Sequence, residues 1–86
     1  MIKIREGDIV WRQVDDEVVV LDLRKSAYLQ VNDTGAFLWP LLVEGMPQGD
    51  LVDRVSRHFE IPYDQAAADV AAFVSSLRDR ELLAQA

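Results

Sequence analysis

The sequence predicts an α+β fold in which a three-stranded antiparallel sheet is followed by three helices. Residues 1–31 carry short runs of β-branched and aromatic residues separated by polar turns, whereas residues 32–86 carry apolar residues at helical spacing. Strands and helices that are segregated along the chain are typical of the α+β class. The 86 residues allow a single domain, residues 1–86, and the element order is compatible with a winged helix-turn-helix shape.

The three predicted strands are short, and polar turns join them into an antiparallel meander. Ile9 to Val14 is the first strand, and the pair Asp15-Asp16 after it is typical of a tight turn. Glu17 to Leu23 contains three consecutive valines, which predicts a central strand with moderate burial on both faces. Ala27 to Val31 is the third strand. Its alternation places on one face Ala27, Leu29 and Val31, and on the other Tyr28 and Gln30.

The first predicted helix follows Asn32 or Asp33, either of which is a suitable N-cap. Pro40 predicts a kink or an early end, because proline removes a backbone hydrogen bond inside a helix. A second helix begins at Gly49 or Asp50 and ends before residues 61–63. The helix before it, which follows Asn32 or Asp33, has an apolar stripe that consists of Phe37, Leu38, Leu41 and Leu42.

The third predicted helix runs from about Gln65 to Arg80, with Asp64 as its cap. Its apolar residues recur with a period of about 3.6 residues, which is typical of a helix that buries one face. That stripe consists of Ala66, Val70, Phe73, Val74 and Leu77.

Composition and charge exclude several classes of function. The chain has no Cys, which excludes a disulfide framework, a zinc ribbon and a thiol nucleophile. Its net charge of −6 makes it a poor ligand for nucleic-acid phosphates and anionic membranes. No apolar run approaches the roughly 20 residues that span a bilayer, and the charged start lacks a signal peptide. We therefore expect a cytoplasmic protein.

Catalytic and metal-binding patterns are missing from the sequence. The only histidine, His58, has no second His or Cys with which to form a metal site, and we expect it to lie partly exposed on a helix. The serines lack a nucleophile-elbow setting, and the four glycines are scattered. The sequence thus predicts a protein without catalytic residues, metal or cofactor.

A winged-helix shape raises the alternative of a DNA-binding transcriptional regulator, in which the third helix enters the major groove. Residues 64–81 carry a net charge of −2, which opposes binding to phosphates. A structural subunit without a peptide ligand is a further alternative. The strand from Ala27 to Val31 favours a different function, because an uncharged edge strand can capture an extended peptide by strand addition.

Two groups of residues resemble the PqqD-like family, whose members recognise peptides in ribosomal peptide natural-product pathways. The first is Leu21-Asp22-Leu23 with the later pattern Tyr28-x-x-Val31-Asn32-x-x-Gly35-x-x-x-Trp39. The second is Asp69-Val70-x-x-Phe73-Val74-x-x-Leu77-x-x-x-x-Leu82-Leu83. The resemblance covers residues 8–84, and an acidic chain of this length is most similar to the free-standing lasso-peptide branch.

The resemblance implies a non-catalytic adaptor that binds the leader segment of a precursor peptide as an added strand on the third strand. The bound leader would be presented to a leader protease or another maturation enzyme. The implied peptide-binding residues are Ala27, Tyr28, Leu29, Gln30 and Val31 on the strand, and Asp69, Val70, Phe73, Ser76, Leu77 and Arg80 on the third helix. The sequence leaves open which alternate residues of the strand pair with the leader.

The sequence departs from the family at three positions. Ser26 stands where the family usually has a turn glycine, and Glu81 stands where glycine is common before the final leucines. Pro40 interrupts a segment that is usually helical. Residues 32–86 carry a net charge of −5, so the helical wall of the groove is expected to be acidic and to suit a leader with basic residues.

Overall fold

A computed structural model describes residues 1–84, apart from the side chain of Asn32; Gln85 and Ala86, which belong to the predicted domain, lie outside the described part. The order of elements confirms the predicted α+β fold of three strands followed by three helices. These elements are β1 (Ile9–Val14), β2 (Glu17–Asp22), β3 (Ala27–Asn32), α1 (Asp33–Glu44), α2 (Gln48–Phe59) and α3 (Tyr63–Asp79).

The strands form one antiparallel sheet in the order β1-β2-β3, so β2 is central as predicted. Val18 and Val20 are fully buried, but Leu21 on the opposite face is 43% exposed. Glu17 and Val19 on that outer face are partly buried, so the predicted moderate burial on both faces is confirmed except at Leu21. The helices cover only one face of the sheet, and a short run of valines does not reveal how many faces will be covered.

Helix α1 continues through Pro40 to Glu44, so of the two predicted effects of the proline, a kink or an early end, the early end is wrong. Packing compensates for the missing backbone bond, because Leu38, Trp39 and Leu42 around the proline are completely buried. The Trp39 ring also makes an edge-to-face contact with Trp11 of β1 at a centroid distance of 6.3 Å. The predicted capping by Asn32 concerns a side chain outside the described part of the structure.

Two prolines mark the starts of α2 and α3. Pro47 and Pro62 are the N-cap residues, and both have an extended backbone that leads directly into the first turn. The prediction that Asp64 caps α3 is therefore wrong, because the helix begins at Tyr63 and Asp64 lies within its first turn. A carboxylate in that turn still stabilises the positive end of the helix dipole. The apolar faces of α2 and α3 pack against each other.

The first five residues form a segment that the sequence did not predict as structured. Ile2 pairs with Met46 after α1, and Ile4 pairs with Leu83 after α3. The backbone N–H of Arg5 donates to the carbonyl of Leu82 at 2.8 Å. This N-terminal segment therefore joins the α1–α2 connection to the chain that follows α3.

Ser26 and Glu81, the two positions where the family usually has glycine, both adopt a left-handed backbone, with φ of 53° and 60°. This conformation is costly for residues that carry a Cβ. Ser26 makes no side-chain hydrogen bond within residues 1–84 that would offset the cost.

We therefore expect Ser26→Gly to raise the free energy of unfolding by about 0.5–1 kcal/mol, measured by urea denaturation. Ser75→Gly is the matched control, because Ser75 is exposed in the middle of α3, where glycine should destabilise by about 0.5 kcal/mol. A Ser26→Gly variant that loses stability would contradict the assignment of backbone strain to the turn.

Candidate peptide-binding groove

Strand β3 has a neighbour on only one side, so half of its backbone groups are left for another partner. The N–H of Leu23 donates to the carbonyl of Asp8 at 2.8 Å, which extends the ladder between β1 and β2 by one pair. Backbone groups on an antiparallel strand alternate between the two sides. The odd-numbered residues of β2 therefore bond to β1, and its even-numbered residues bond to β3.

This alternation identifies the backbone groups at the free edge. The register pairs Val18 with Val31 and Val20 with Leu29, so the backbone of Leu29 and Val31 is bonded to β2. The N–H and C=O groups of Tyr28 and Gln30 consequently point to the free edge. Of the two sets that the sequence left open, this is the one with backbone groups that can pair with an added strand.

The inner face of the sheet is incompletely covered at β3. Ala27 and Leu29 are only half-buried, although their partners Asp22 and Val20 on β2 are 4% and 1% exposed. A cavity of about 170 Å³ lies beside them. Its lining is mainly apolar and consists of Val20, Asp22, Lys25, Ala27, Tyr28, Leu29, Arg80 and Leu82. We call the space between β3 and α3 the β3–α3 groove.

One face of α3 forms the wall of this groove. The spacing of four, three and four residues places on one side of the helix Asp69, Phe73 and Ser76 of α3 and its C-cap residue Arg80. The Phe73 ring lies at the Val31 end of β3, whereas Arg80 lines the cavity beside Ala27. Helix α3 therefore runs antiparallel to β3 along the groove.

Gly35 allows the close approach of Phe73. A Cβ atom added at Gly35 would lie 2.9 Å from Cε1 of Phe73 and 3.2 Å from Cβ of Val31. A larger residue would displace the Phe73 ring from β3. This contact gives a physical reason for the glycine in the pattern that follows β3.

The site residues predicted on the third helix fall into two groups in the structure. Val70 and Leu77 are completely buried in the core, where they support the wall but do not face the groove. The other predicted helix residues, Asp69, Phe73, Ser76 and Arg80, are half-buried or exposed. The Tyr28 side chain lies on the outer face of the sheet, 58% exposed, and its hydroxyl is 3.0 Å from Oε1 of Gln30.

A buried ion pair that the sequence analysis missed holds the Ala27 end of the groove. Nη2 of Arg5 lies 3.3 Å from Oδ2 of Asp22, and both side chains are largely buried. Oδ1 of Asp22 accepts hydrogen bonds from the backbone N–H groups of Arg24 and Lys25 at 3.1 and 3.3 Å. The available signal was an acidic residue on the inward-facing side of β2, in line with Val18 and Val20.

The pKa of Asp22 reflects opposing effects. Burial raises the pKa of its carboxyl, but the hydrogen bonds from Lys25 and Arg24 and the positive charge of Arg5 together lower it below the ordinary value. Asp22 is therefore charged in the folded protein near neutral pH.

A second ion pair connects the β2–β3 turn to the end of α3. Nζ of Lys25 lies 2.5 Å from Oε1 of Glu81. The hydrogen bond from Lys25 and its positive charge lower the pKa of the Glu81 carboxyl. This pair links the side chain of Glu81 to the β2–β3 turn.

The comparison with protein families matches residues 17–83 to the model of coenzyme PQQ synthesis protein D (PqqD). The chain belongs to the PqqD family. The matched region begins at β2 and includes β3 and all three helices, so it contains every element of the groove.

Two solved structures resemble this PqqD-family chain closely. TbiB1 in complex with the TbiA(beta) leader peptide has a TM-score of 0.87 and 30% identity, covering 98% of this chain and 96% of that one. Lasso peptide synthetase B1 complexed with the leader peptide has a TM-score of 0.83 and 30% identity, covering 98% of each chain. No curated protein significantly matches the chain.

Residues 1–84 show neither a membrane-spanning helix nor a metal-binding cluster. No helix in this part of the PqqD-family chain is long and apolar enough to cross a membrane. The same residues contain no group of three or more His, Cys, Asp or Glu side chains that could hold a metal ion. As predicted, His58 is exposed on a helix, where its ring stacks on Phe37 at a centroid distance of 4.1 Å.

We expect Asp22→Asn to lower the melting temperature near neutral pH, because Arg5 loses its charged partner. Since the folded-state pKa lies below the ordinary value of 3.8, the stabilisation is present above that pH and is lost as the pH falls through the folded-state pKa. The difference between wild type and variant, measured by thermal denaturation, should therefore shrink in acid.

Asp16→Asn is the control for this measurement. Asp16 is exposed in the β1–β2 turn and makes no ion pair within residues 1–84, so its substitution should leave the melting temperature unchanged. A deficit for Asp22→Asn that stays constant across the pH range would contradict an electrostatic role.

Proposed function

We propose that this chain is a non-catalytic adaptor that binds the leader segment of a ribosomally made precursor peptide as a fourth strand on β3. The observation that carries the proposal is the free edge of β3, where the backbone groups of Tyr28 and Gln30 adjoin an open apolar groove. Support comes from the two similar structures, which are both complexes with leader peptides.

Strand addition separates affinity from specificity. Hydrogen bonds to the backbone of Tyr28 and Gln30 bind any extended peptide, whereas every second peptide side chain enters the groove. The groove offers these alternate peptide side chains an apolar surface made by Ala27, Leu29 and Phe73. We therefore expect the leader to carry apolar residues at alternate positions. Val70 and Leu77 contribute indirectly, because they fix the position of α3.

The adaptor acts by bringing the precursor to a processing enzyme. Tethering the leader raises the effective concentration of the attached core peptide at an enzyme in the same complex. We assign this role to lasso peptide biosynthesis in the cytoplasm, with a leader protease or another maturation enzyme as the partner. The chain serves as one recognition domain and supplies no catalytic group.

No observation favours the DNA-binding alternative. Residues 64–81, which contain all of α3 except its first residue, carry a net charge of −2. The face of α3 that carries Phe73 and ends at Arg80 is directed at the β3–α3 groove, beside β3. A recognition helix instead needs an exposed and positively charged face to meet DNA.

The test uses a proline at the free edge of β3. Gln30→Pro removes an N–H that points away from β2, so the sheet keeps its own hydrogen bonds while the added strand loses one. We expect the affinity for a fluorescein-labelled synthetic leader, taken from a precursor gene identified in the same genome, to fall about tenfold or more by fluorescence anisotropy.

Gln13→Pro is the matched control at the opposite edge of the sheet. The N–H of Gln13 also points away from β2, because Arg12 and Val14 are the residues of β1 that bond to it. This variant should bind the leader like wild type, and circular dichroism should show that both variants are folded. Equal binding by the two proline variants would rule out strand addition on β3.

A further inference from the structure

Most of the basic residues of this acidic protein are gathered at one end of the β3–α3 groove. Two cavities, of about 170 and about 640 Å³, lie where the N-terminal segment, the β2–β3 turn and the end of α3 meet, and the Arg5–Asp22 and Lys25–Glu81 ion pairs connect their linings. Six of the nine Lys and Arg residues line them. We call this surface the basic end; it consists of Lys3, Arg5, Arg24, Lys25, Arg78 and Arg80.

The positive charge of the basic end is only partly neutralised. Asp22 and Glu81 are the only acidic residues that line the two cavities, and each is already paired, with Arg5 and Lys25 respectively. Arg24, Arg78 and Arg80 form no ion pair within residues 1–84. An excess of exposed guanidinium groups attracts an anion.

The charge changes sign along the wall of the groove. Arg80 lines the cavity at the Ala27 end, whereas Asp69 lies eleven residues earlier on the same side of α3, beyond Phe73 and the Val31 end. The expectation of an acidic wall, which was based on net charge, therefore does not hold at the Arg80 end. A peptide in the groove experiences a positive potential at one end and a negative charge at the other.

We propose that the docked peptide carries an Asp or Glu beside the β2–β3 turn, where Arg80 binds its carboxylate and Arg24 and Arg78 add to the attraction. This inference rests on the proposed function, because it concerns a peptide strand added to β3. Guanidinium groups suit carboxylates, with which they form paired hydrogen bonds. The charge order thus selects the register of the peptide, since a shift along β3 removes the carboxylate from Arg80.

The same geometry predicts the effect of salt. Ion pairs at an accessible surface are screened when the ionic strength rises, whereas backbone hydrogen bonds and apolar contacts are much less affected. The binding contribution of Arg80 should therefore be largest at low salt and small at high salt.

The experiment measures binding of the same fluorescein-labelled leader by anisotropy at about 0.05 M and about 0.5 M NaCl. Arg80→Gln should weaken binding about threefold to tenfold at low salt, and the difference from wild type should nearly vanish at high salt. The matched control is Arg54→Gln on α2, an exposed arginine outside both cavities, which should change the affinity less than about twofold.

A scan of the leader identifies the carboxylate. Each Asp or Glu of the peptide is changed in turn to Asn or Gln, and one change should weaken binding to wild type but not to Arg80→Gln. Such coupling would distinguish a direct partner of Arg80 from a general effect of peptide charge.

The outcomes separate the two proposals. If wild type binds the leader but Arg80→Gln behaves like Arg54→Gln, the carboxylate contact is wrong and the adaptor function stands. An equal loss at both salt concentrations also overturns the contact, because it indicates packing of the Arg80 stem. If wild type fails to bind the leader at either salt concentration, the proposed function itself is wrong.

Discussion

The guanidinium of Arg5 joins three segments that are remote in the sequence. It pairs with Asp22 at the end of β2, and its Nε donates to the carbonyl of Glu81 after α3. The backbone N–H of Arg5 also donates to the carbonyl of Leu82. Burying two charged groups costs free energy of folding unless each group also makes hydrogen bonds. Here the backbone N–H groups of Arg24 and Lys25 in the β2–β3 turn donate to the carboxylate of Asp22. The position of the turn relative to α3, and hence the shape of the groove, depends on this pair.

The Arg5–Asp22 pair fixes one end of the groove, whereas the edge of β3 along the groove is open. Most natural sheets protect their edges with charges, prolines or bulges, because unpaired backbone groups recruit other strands. In this protein the edge is uncharged along β3, and the inner face beside it is left half-covered at Ala27 and Leu29. A helix that stands away from β3, with Phe73 at one end and Arg80 at the other, leaves space for one extended chain. The membership of the PqqD family and the likeness to two leader-peptide complexes agree with such a surface.

Local patterns predicted the elements well, and their failures have identifiable causes. The bounds of β1 match the prediction, because alternation and the Asp15-Asp16 turn are properties of neighbouring residues. The early end at Pro40 and the cap at Asp64 are wrong because packing around Trp39 overrides the proline and because Pro62 starts α3 earlier. The peptide-binding residues were inferred from the resemblance, and they stay a prediction.

The sequence by itself determined the α+β class, the alternation of β3 and the likeness to a peptide-recognition family, because each of these depends on spacing along the chain. Tertiary structure alone decided which backbone groups of β3 are free, since that follows from the register with β2. It also decided the charge of the groove. The net charge of −6 is a sum over all residues, whereas the potential at one place depends on which side chains the fold gathers there. Folding brings Lys3, Arg24 and Arg78 together across the chain and makes one end of an acidic protein basic.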